Sequence, residues 1–258
     1  MPDLYGRVAL VTGGTRGVGL GVARALHAAG ADVVVCGRNR PEALPEGFEF
    51  RAVDVRDPEA ATALVRGVAV DHGRLDVLVN NAGGAPYALA ADASPRFHAS
   101  VVTLNLLAPL ALSQAANAVM QEQPDGGSIV MISSVSGTRP SPGTAAYGAA
   151  KAGLNSLATS LAVEWAPRVR VNALVVGPVL TEQSALHYGD DEGVAAVGRT
   201  IPMGRLAYPD DVGGVCVFLA SPAAAYVSGA LIAVHGGGER PAFLGASNAQ
   251  HQKESRHE

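Results

Sequence analysis

Short apolar runs rich in β-branched residues alternate with longer alanine-rich segments almost from one end of the chain to the other. The runs Val8–Val11, Val33–Val35, Phe50–Val53, Leu75–Val79, Ser128–Ile132, Val169–Val175 and Leu231–Val234 read as strands. Helical periodicity falls between them, near 17–29, 57–72, 95–122, 144–165 and 209–220. The strand runs are apolar at consecutive positions rather than at alternate ones, as parallel strands covered on both faces must be. Strand–helix–strand repetition predicts an α/β fold, a doubly wound seven-stranded parallel sheet of Rossmann type, with an α/β barrel as the competing architecture. No composition break or internal repeat divides the chain, so residues 1–245 are expected to form a single domain. The polar stretch 246–258 is expected to be a frayed tail.

Composition then removes whole classes of function. Of 258 residues, 48% are hydrophobic but only 5% aromatic, so the core is built mainly from Ala, Val and Leu. Net charge is −4 and no basic block is present, which argues against nucleic-acid binding through phosphate neutralisation. The sequence reading finds no apolar run approaching the length of a membrane span and no secretory start in residues 1–11. Cys36 and Cys216 are isolated and form no CxxC pair, so a reduced, cytoplasmic, metal-free protein is expected.

The first strand runs directly into Thr12-Gly13-Gly14-Thr15-Arg16-Gly17-Val18-Gly19, and an amphipathic helix follows. A tight turn needs residues free to take positive φ, and close approach to a pyrophosphate needs missing side chains. The helix N-terminus then offers unpaired amides to phosphate. The G-x-x-x-G-x-G spacing differs from the commoner G-x-G-x-x-G, and no Lys-Ser/Thr follows as a phosphate-binding loop of NTPases requires. The competing reading is an ordinary βα turn. The second strand ends in Gly37-Arg38-Asn39, with no carboxylate where the ribose diol of NAD would be held. Arg38, with Arg16 from the glycine turn, could instead pair with a 2′-phosphate, which favours NADP over NAD. Two solvated surface arginines are the alternative.

Tyr147 and Lys151 lie four apart in a helical stretch, which puts them on one face. A free phenol titrates near 10, too high for a base at neutral pH, and a neighbouring ammonium would favour the phenolate. The pair is a candidate general acid/base for interconverting a carbonyl and an alcohol, against the plain reading of a surface pair. Ser134 follows the fifth strand run, where open α/β sheets place their ligand crevice, and could bond the same substrate oxygen. Its neighbour Ser133 should point the opposite way, as a cap or turn serine. Asn105 lies four residues before Pro109, which has no amide hydrogen to give the Asn105 carbonyl. A water shared with Lys151 would satisfy that carbonyl and extend a proton relay from Tyr147; a merely kinked helix is the alternative.

Together these residues resemble the short-chain dehydrogenase/reductase family in its single-domain form. The resemblance rests on Thr12-Gly13-x-x-x-Gly17-x-Gly19, Asp54-Val55, Asn80-Asn81-Ala82-Gly83, Asn105, Ser134, Tyr147 and Lys151, in that order over essentially the whole chain. Membership would make the protein an oxidoreductase moving a hydride between NADP(H), or NAD(H), and a small carbonyl or secondary-alcohol substrate. A non-catalytic sensor or scaffold on the same fold is the rival. The resemblance implies that Asp54 bonds the adenine amino group beside the Val55 backbone, and that Asn81, Ala82 and Gly83 line the cofactor ribose. It also implies that Lys151 bonds the nicotinamide ribose, that Pro178, Val179 and Thr181 hold the carboxamide, and that the chain forms a homotetramer through helices near 95–122 and 144–165.

Three departures from the family pattern stand out. Val176-Gly177 replaces Pro-Gly after the sixth strand. Residues 38–47 carry two prolines and leave little room for a helix between the second and third strands. His235 stands where an aspartate is common, and a structural role is expected for it. The substrate walls are expected from Gly84–Leu89, Val135–Pro142 and Glu182–Met203, the last acting as a lid, with Arg139 and Arg199 as available cations.

Overall fold

The computed structural model describes residues 3–243; the expected C-terminal tail, 246–258, lies outside the described residues. Seven strands form one open parallel sheet in the order β3-β2-β1-β4-β5-β6-β7. They are β1 (Val8–Thr12), β2 (Asp32–Gly37), β3 (Phe48–Ala52), β4 (Val77–Asn80), β5 (Gly127–Ser134), β6 (Val169–Val176) and β7 (Leu231–Val234). β3 and β7 are the free edges, so the barrel alternative is excluded.

Side chains alternate across each strand, and here both faces are covered. One face sends Leu10, Val34, Leu78, Ile129, Met131 and Val171 against α2 (Pro58–His72), α4 (Ala108–Met120) and α5 (Ala145–Trp165). The other sends Val11, Val33, Val79, Val130 and Leu174 against α1 (Gly17–Ala28) and α8 (Pro209–Ala220). Consecutive apolar positions in the strands are the direct consequence. Helix α2 shows how locally the ends are fixed. Asp57 accepts the amides of Glu59 and Ala60 at 2.9 and 3.1 Å, Pro58 opens the first turn, and Gly73 closes the helix at φ 74°.

Progression from β1 runs outward through β2 to β3, then reverses as β4 pairs on the other side of β1. This switch point opens the ligand crevice at the carboxyl ends of β1 and β4. Residues 38–47 contain no helix, as the two prolines require.

The expected helix 95–122 is interrupted. It consists of α3 (Pro95–Val102), a π-helical turn over Thr103–Leu107 and then α4. Pro109 has no amide for the Asn105 carbonyl, and the ladder widens, with the Ala108 amide reaching the Thr103 carbonyl. A wider turn, not a simple kink, accommodates the missing donor. The continuous run Pro95–Met120 is long and apolar enough, by length and composition, to cross a membrane, which corrects the reading that no run approaches that length. It packs between α2 and α5, with Asn105 and Ser113 fully buried. The expected lid, 182–203, is not a bare loop but carries α6 (Ala185–Tyr188) and α7 (Asp191–Thr200).

Candidate active site

The glycine turn bends between β1 and α1, and its glycines are required for different reasons. Gly13 and Gly17 take φ of 62° and 52°, the left-handed region that suits glycine. A side chain on Gly19 would stand 2.3 Å from the Gly13 carbonyl and 2.4 Å from the Asn81 amide nitrogen. No side chain caps α1: Arg16 occupies the position before it in extended backbone, and the first turn holds no acid. Free amides, the positive helix end and an open approach past Thr15 and Val18 suit a phosphate.

Thr12 ties this turn to its neighbour. Its buried hydroxyl accepts the amides of Asn81 and Ala82 at 3.0 and 2.9 Å, and Asn81 returns a bond to the Thr12 carbonyl at 2.9 Å. Asn80 points into the core instead, donating to Ser113 at 2.8 Å. Across the crevice, Thr181 comes within 3.5 Å of where a Gly17 side chain would begin. The turn Pro178–Thr181 is held by Ser184, which donates to the Val179 carbonyl at 3.2 Å and accepts the Thr181 amide at 2.8 Å. Sequence reasoning did not single out Ser184, because its role appears only once the chain doubles back. Gly177, in the departing Val176-Gly177 pair, is pressed against His235, where a side chain would lie 2.8 Å from the His235 Cβ.

At the adenosine side the structure differs from expectation. Asp54 is engaged by Arg56, which donates through Nε at 3.0 and 3.1 Å and through Nη2 at 2.5 Å. Arg56, aided by the Arg38 charge, holds the Asp54 carboxyl down to about 2. An adenine amino group would have to share that carboxylate with Arg56, within the acceptor capacity of its two oxygens. Val55 is buried beside it. Arg16 and Arg38 are both exposed.

The cluster of Tyr147, Lys151 and Ser134 lies where β5 ends. Lys151 is 4% exposed, its Nζ 5.6 Å from the centre of the Tyr147 ring, and it donates to the Ile132 carbonyl at 2.7 Å. Burial without a facing carboxylate lowers the Lys151 ammonium to about 8. Tyr147 is half-buried, and burial raises its phenol; the Ser134 hydroxyl pulls it back and Tyr188 pushes it further up. In the protein alone, desolvation dominates both groups. Ser133 turns away, as expected, and bonds the Lys151 carbonyl at 3.3 Å. The capping role belongs to Ser134, not Ser133, for its oxygen accepts the Ser136 amide at 3.1 Å at the start of the 3₁₀ turn Val135–Gly137.

Asn105 completes the cluster. Its side chain accepts the Gly84 amide at 3.2 Å and donates to the carbonyls of Gly84 and Val101 at 3.0 and 2.9 Å. A side chain on Gly83 would begin 2.8 Å from the Asn105 oxygen and 3.6 Å from the Lys151 amine, so only a glycine leaves this cradle open. Among the described residues no group of three or more His, Cys, Asp or Glu is placed to hold a metal. Cys36 and Cys216 are buried, and burial pushes both thiols up to about 12.

A glycine-lined helix end and a tyrosine–lysine–serine cluster thus lie at one carboxyl edge of the sheet. Comparison with known proteins assigns the family of the chain. A family model described as enoyl-(acyl carrier protein) reductase matches residues 13–239. The 2-dehydro-3-deoxy-D-gluconate 5-dehydrogenase of Pseudoalteromonas atlantica is 36% identical, covering 91% of this chain and 96% of its own. The D-threitol dehydrogenase of Mycolicibacterium smegmatis is also 36% identical, covering 91% and 93%. A solved structure from Beutenbergia cavernae, assigned as an NAD(P)-dependent gluconate 5-dehydrogenase and containing NADP at low occupancy, is 38% identical with a TM-score of 0.83, over 91% of this chain and 97% of that one. The chain belongs to the short-chain dehydrogenase/reductase family, and it is an NAD(P)-dependent enzyme of that family.

Proposed function

We propose that this enzyme interconverts a ketone and a secondary alcohol on a small polyhydroxylated substrate, with NADP(H) as the preferred cofactor and NAD(H) as a weaker one. The observation that carries the reading is the meeting of Tyr147 with Ser134 and Lys151, and of Lys151 with Asn105 beside Gly83, at the carboxyl edge. The nicotinamide, when bound, supplies or accepts the hydride. Tyr147 gives a proton to the carbonyl oxygen in reduction and takes it from the alcohol in oxidation. Burial keeps the phenol protonated, which suits donation. Ser134 orients the same oxygen by a hydrogen bond. Lys151 would bond the ribose hydroxyls and pass the proton onward, through a water held by Asn105.

The fit of the remaining residues supports the cofactor. Gly13, Thr15, Gly17, Val18 and Gly19 would cradle the pyrophosphate, while Asn81, Ala82 and Gly83 would line the ribose. Pro178, Val179 and Thr181 would hold the carboxamide, and Asp54 and Val55 the adenine. Arg16 and Arg38 would take the 2′-phosphate, and no acid stands at the end of β2 to oppose it. The relatives named for sugar acids and a sugar alcohol support a polyhydroxylated substrate. We further propose a cytoplasmic homotetramer, with residues 1–245 as one domain, no nucleic-acid or membrane partner and no metal. Leu107 and Val163, 50% and 82% exposed on the helices expected to pair, support that interface.

Tyr147→Phe tests the assignment. Turnover is expected to fall about 10³-fold, within the range that general acid–base groups contribute. NADPH binding, read by cofactor fluorescence, is expected to stay within about twofold. Residual activity near wild type would defeat the role of the phenol.

A further inference from the structure

The turn that leaves β6 toward the lid spends its hydrogen-bonding groups unevenly. The Pro178 carbonyl accepts the Ala207 amide at 3.0 Å, and the Leu180 amide goes to the Ala207 carbonyl at 2.8 Å. The Thr181 amide goes to the Ser184 hydroxyl at 2.8 Å, and that hydroxyl donates to the Val179 carbonyl at 3.2 Å. The Thr181 hydroxyl accepts the Gln183 amide at 3.3 Å. Among the described residues, the Val179 amide and the Thr181 hydroxyl proton are given to no acceptor. Both residues are half-buried, and the Thr181 methyl comes within 3.5 Å of where a Gly17 side chain would begin. Two free donors and the second lone pair of the Val179 carbonyl therefore lie beside the glycine turn, a set that matches the oxygen and amino group of a carboxamide.

Ser184 decides which of these groups stay free. Its hydroxyl bridges residues 179 and 181 by accepting from one and donating to the other. Ser184 is 4% exposed, and its own backbone is fixed twice. Its amide donates to the Thr181 carbonyl at 3.0 Å, and its carbonyl accepts the amides of His187 and Tyr188 at 3.0 and 2.9 Å where α6 begins. Without the hydroxyl, the Thr181 amide and the Val179 carbonyl lose a partner. Sheltered backbone groups are costly to leave unpaired, so the two peptide groups would turn to find others.

We propose that Ser184 is a positioning residue for the nicotinamide. By bridging Val179 and Thr181 it sets the donors that hold the carboxamide, and through them the approach of the ring to a substrate beside Tyr147. This rests on the carboxamide placement given above. A displacement of about 1 Å in such a contact can cost about 10²-fold in rate.

Ser184→Ala tests the role, with two ligands as readouts. NADPH is expected to bind about 5- to 10-fold more weakly, the loss of one hydrogen bond, and kcat to fall about 10- to 100-fold. Adenosine 2′,5′-bisphosphate, which carries no nicotinamide, is expected to bind within about twofold of wild type. Ser184→Cys keeps the shape of the side chain but bonds weakly, so it should follow Ser184→Ala. Equal weakening of both ligands, kcat near wild type in Ser184→Ala, or wild-type behaviour in Ser184→Cys would each overturn the role, the last by marking it as packing alone. Thr181→Val separates the two readings. If it weakens NADPH and Ser184→Ala does not, the carboxamide placement stands and only the role of Ser184 falls. If Thr181→Val leaves NADPH unchanged, the placement fails and the role falls with it.

Discussion

The two edges of the sheet treat buried charge in opposite ways. At the amino edge, Asp76 is 5% exposed and saturated: it accepts Arg7 at 2.9 Å, Arg74 at 2.7 and 2.6 Å and the Val8 amide at 2.9 Å. Burial alone would raise the Asp76 carboxyl, but Arg74, the Val8 amide and Arg7 outweigh it and leave it below the usual carboxylate range. At the carboxyl edge, Lys151 is equally buried and has one carbonyl for company. A charge that is fully partnered ties the starts of β1 and β4 together; one that is left without a counter-charge stays available for chemistry.

The sharpest way to break this contrast is to unpair the amino edge. Asp76→Asn should cost about 3 kcal/mol, because two guanidiniums lose their shared partner. Urea unfolding against pH would check it. In wild type the Asp76 contribution is present above the ordinary carboxylate pKa of about 3.9 and is lost as pH falls through the lower folded value. The variant should lack that acid limb.

Neutralising the other edge should do the reverse. Lys151→Met removes a charge whose pKa falls from 10.5 to about 8 on folding. That shift corresponds to about 3 kcal/mol of disfavoured burial, offset by about 1–2 kcal/mol for the Ile132 carbonyl left without its donor. A net gain of about 1–2 kcal/mol at pH 7 is expected, together with loss of turnover. Between pH of about 8 and 10.5 the unfolded wild-type chain holds the extra proton, so its stability should rise across that window. The Met variant should show no such rise, and a destabilised variant would contradict the contrast. The smallest effect concerns the exposed cations of the carboxyl edge. Arg38→Asp should lower the NADP-to-NAD preference about 10-fold in kcat/KM, and an unchanged ratio would remove Arg38 from the 2′-phosphate site.

Much of this organisation was legible in the chain before any coordinates. The strands showed themselves because both faces are buried, and the ends of α2 because Asp57, Pro58 and Gly73 act locally. Tyr147, Lys151, Ser134 and Gly83 were recognisable by order and spacing. What could not be read depends on closure between distant segments. Ser184 and Thr12 earn their roles only when two turns meet, and the ion pair of Arg139 with Glu239 carries no local signal across its separation. Helices α6 and α7 were hidden because they are short and largely exposed. Helical spacing reveals the proximity of Tyr147 to Lys151 but not the depth at which both are buried.

The widened turn at Thr103–Leu107 has one more consequence. Each added residue rotates a helix by about 100°, so the turn sets α4 out of phase with α3. The first helix can therefore face α5 and the crevice while the second faces α2 and the sheet. Asn105 sits at the joint between those two phases. Losing one residue there would swing Leu112, Ala116 and Met120 off the sheet while displacing the amide that closes the Gly83 cradle, so reactivity and core registry at this point are inherited as a single trait.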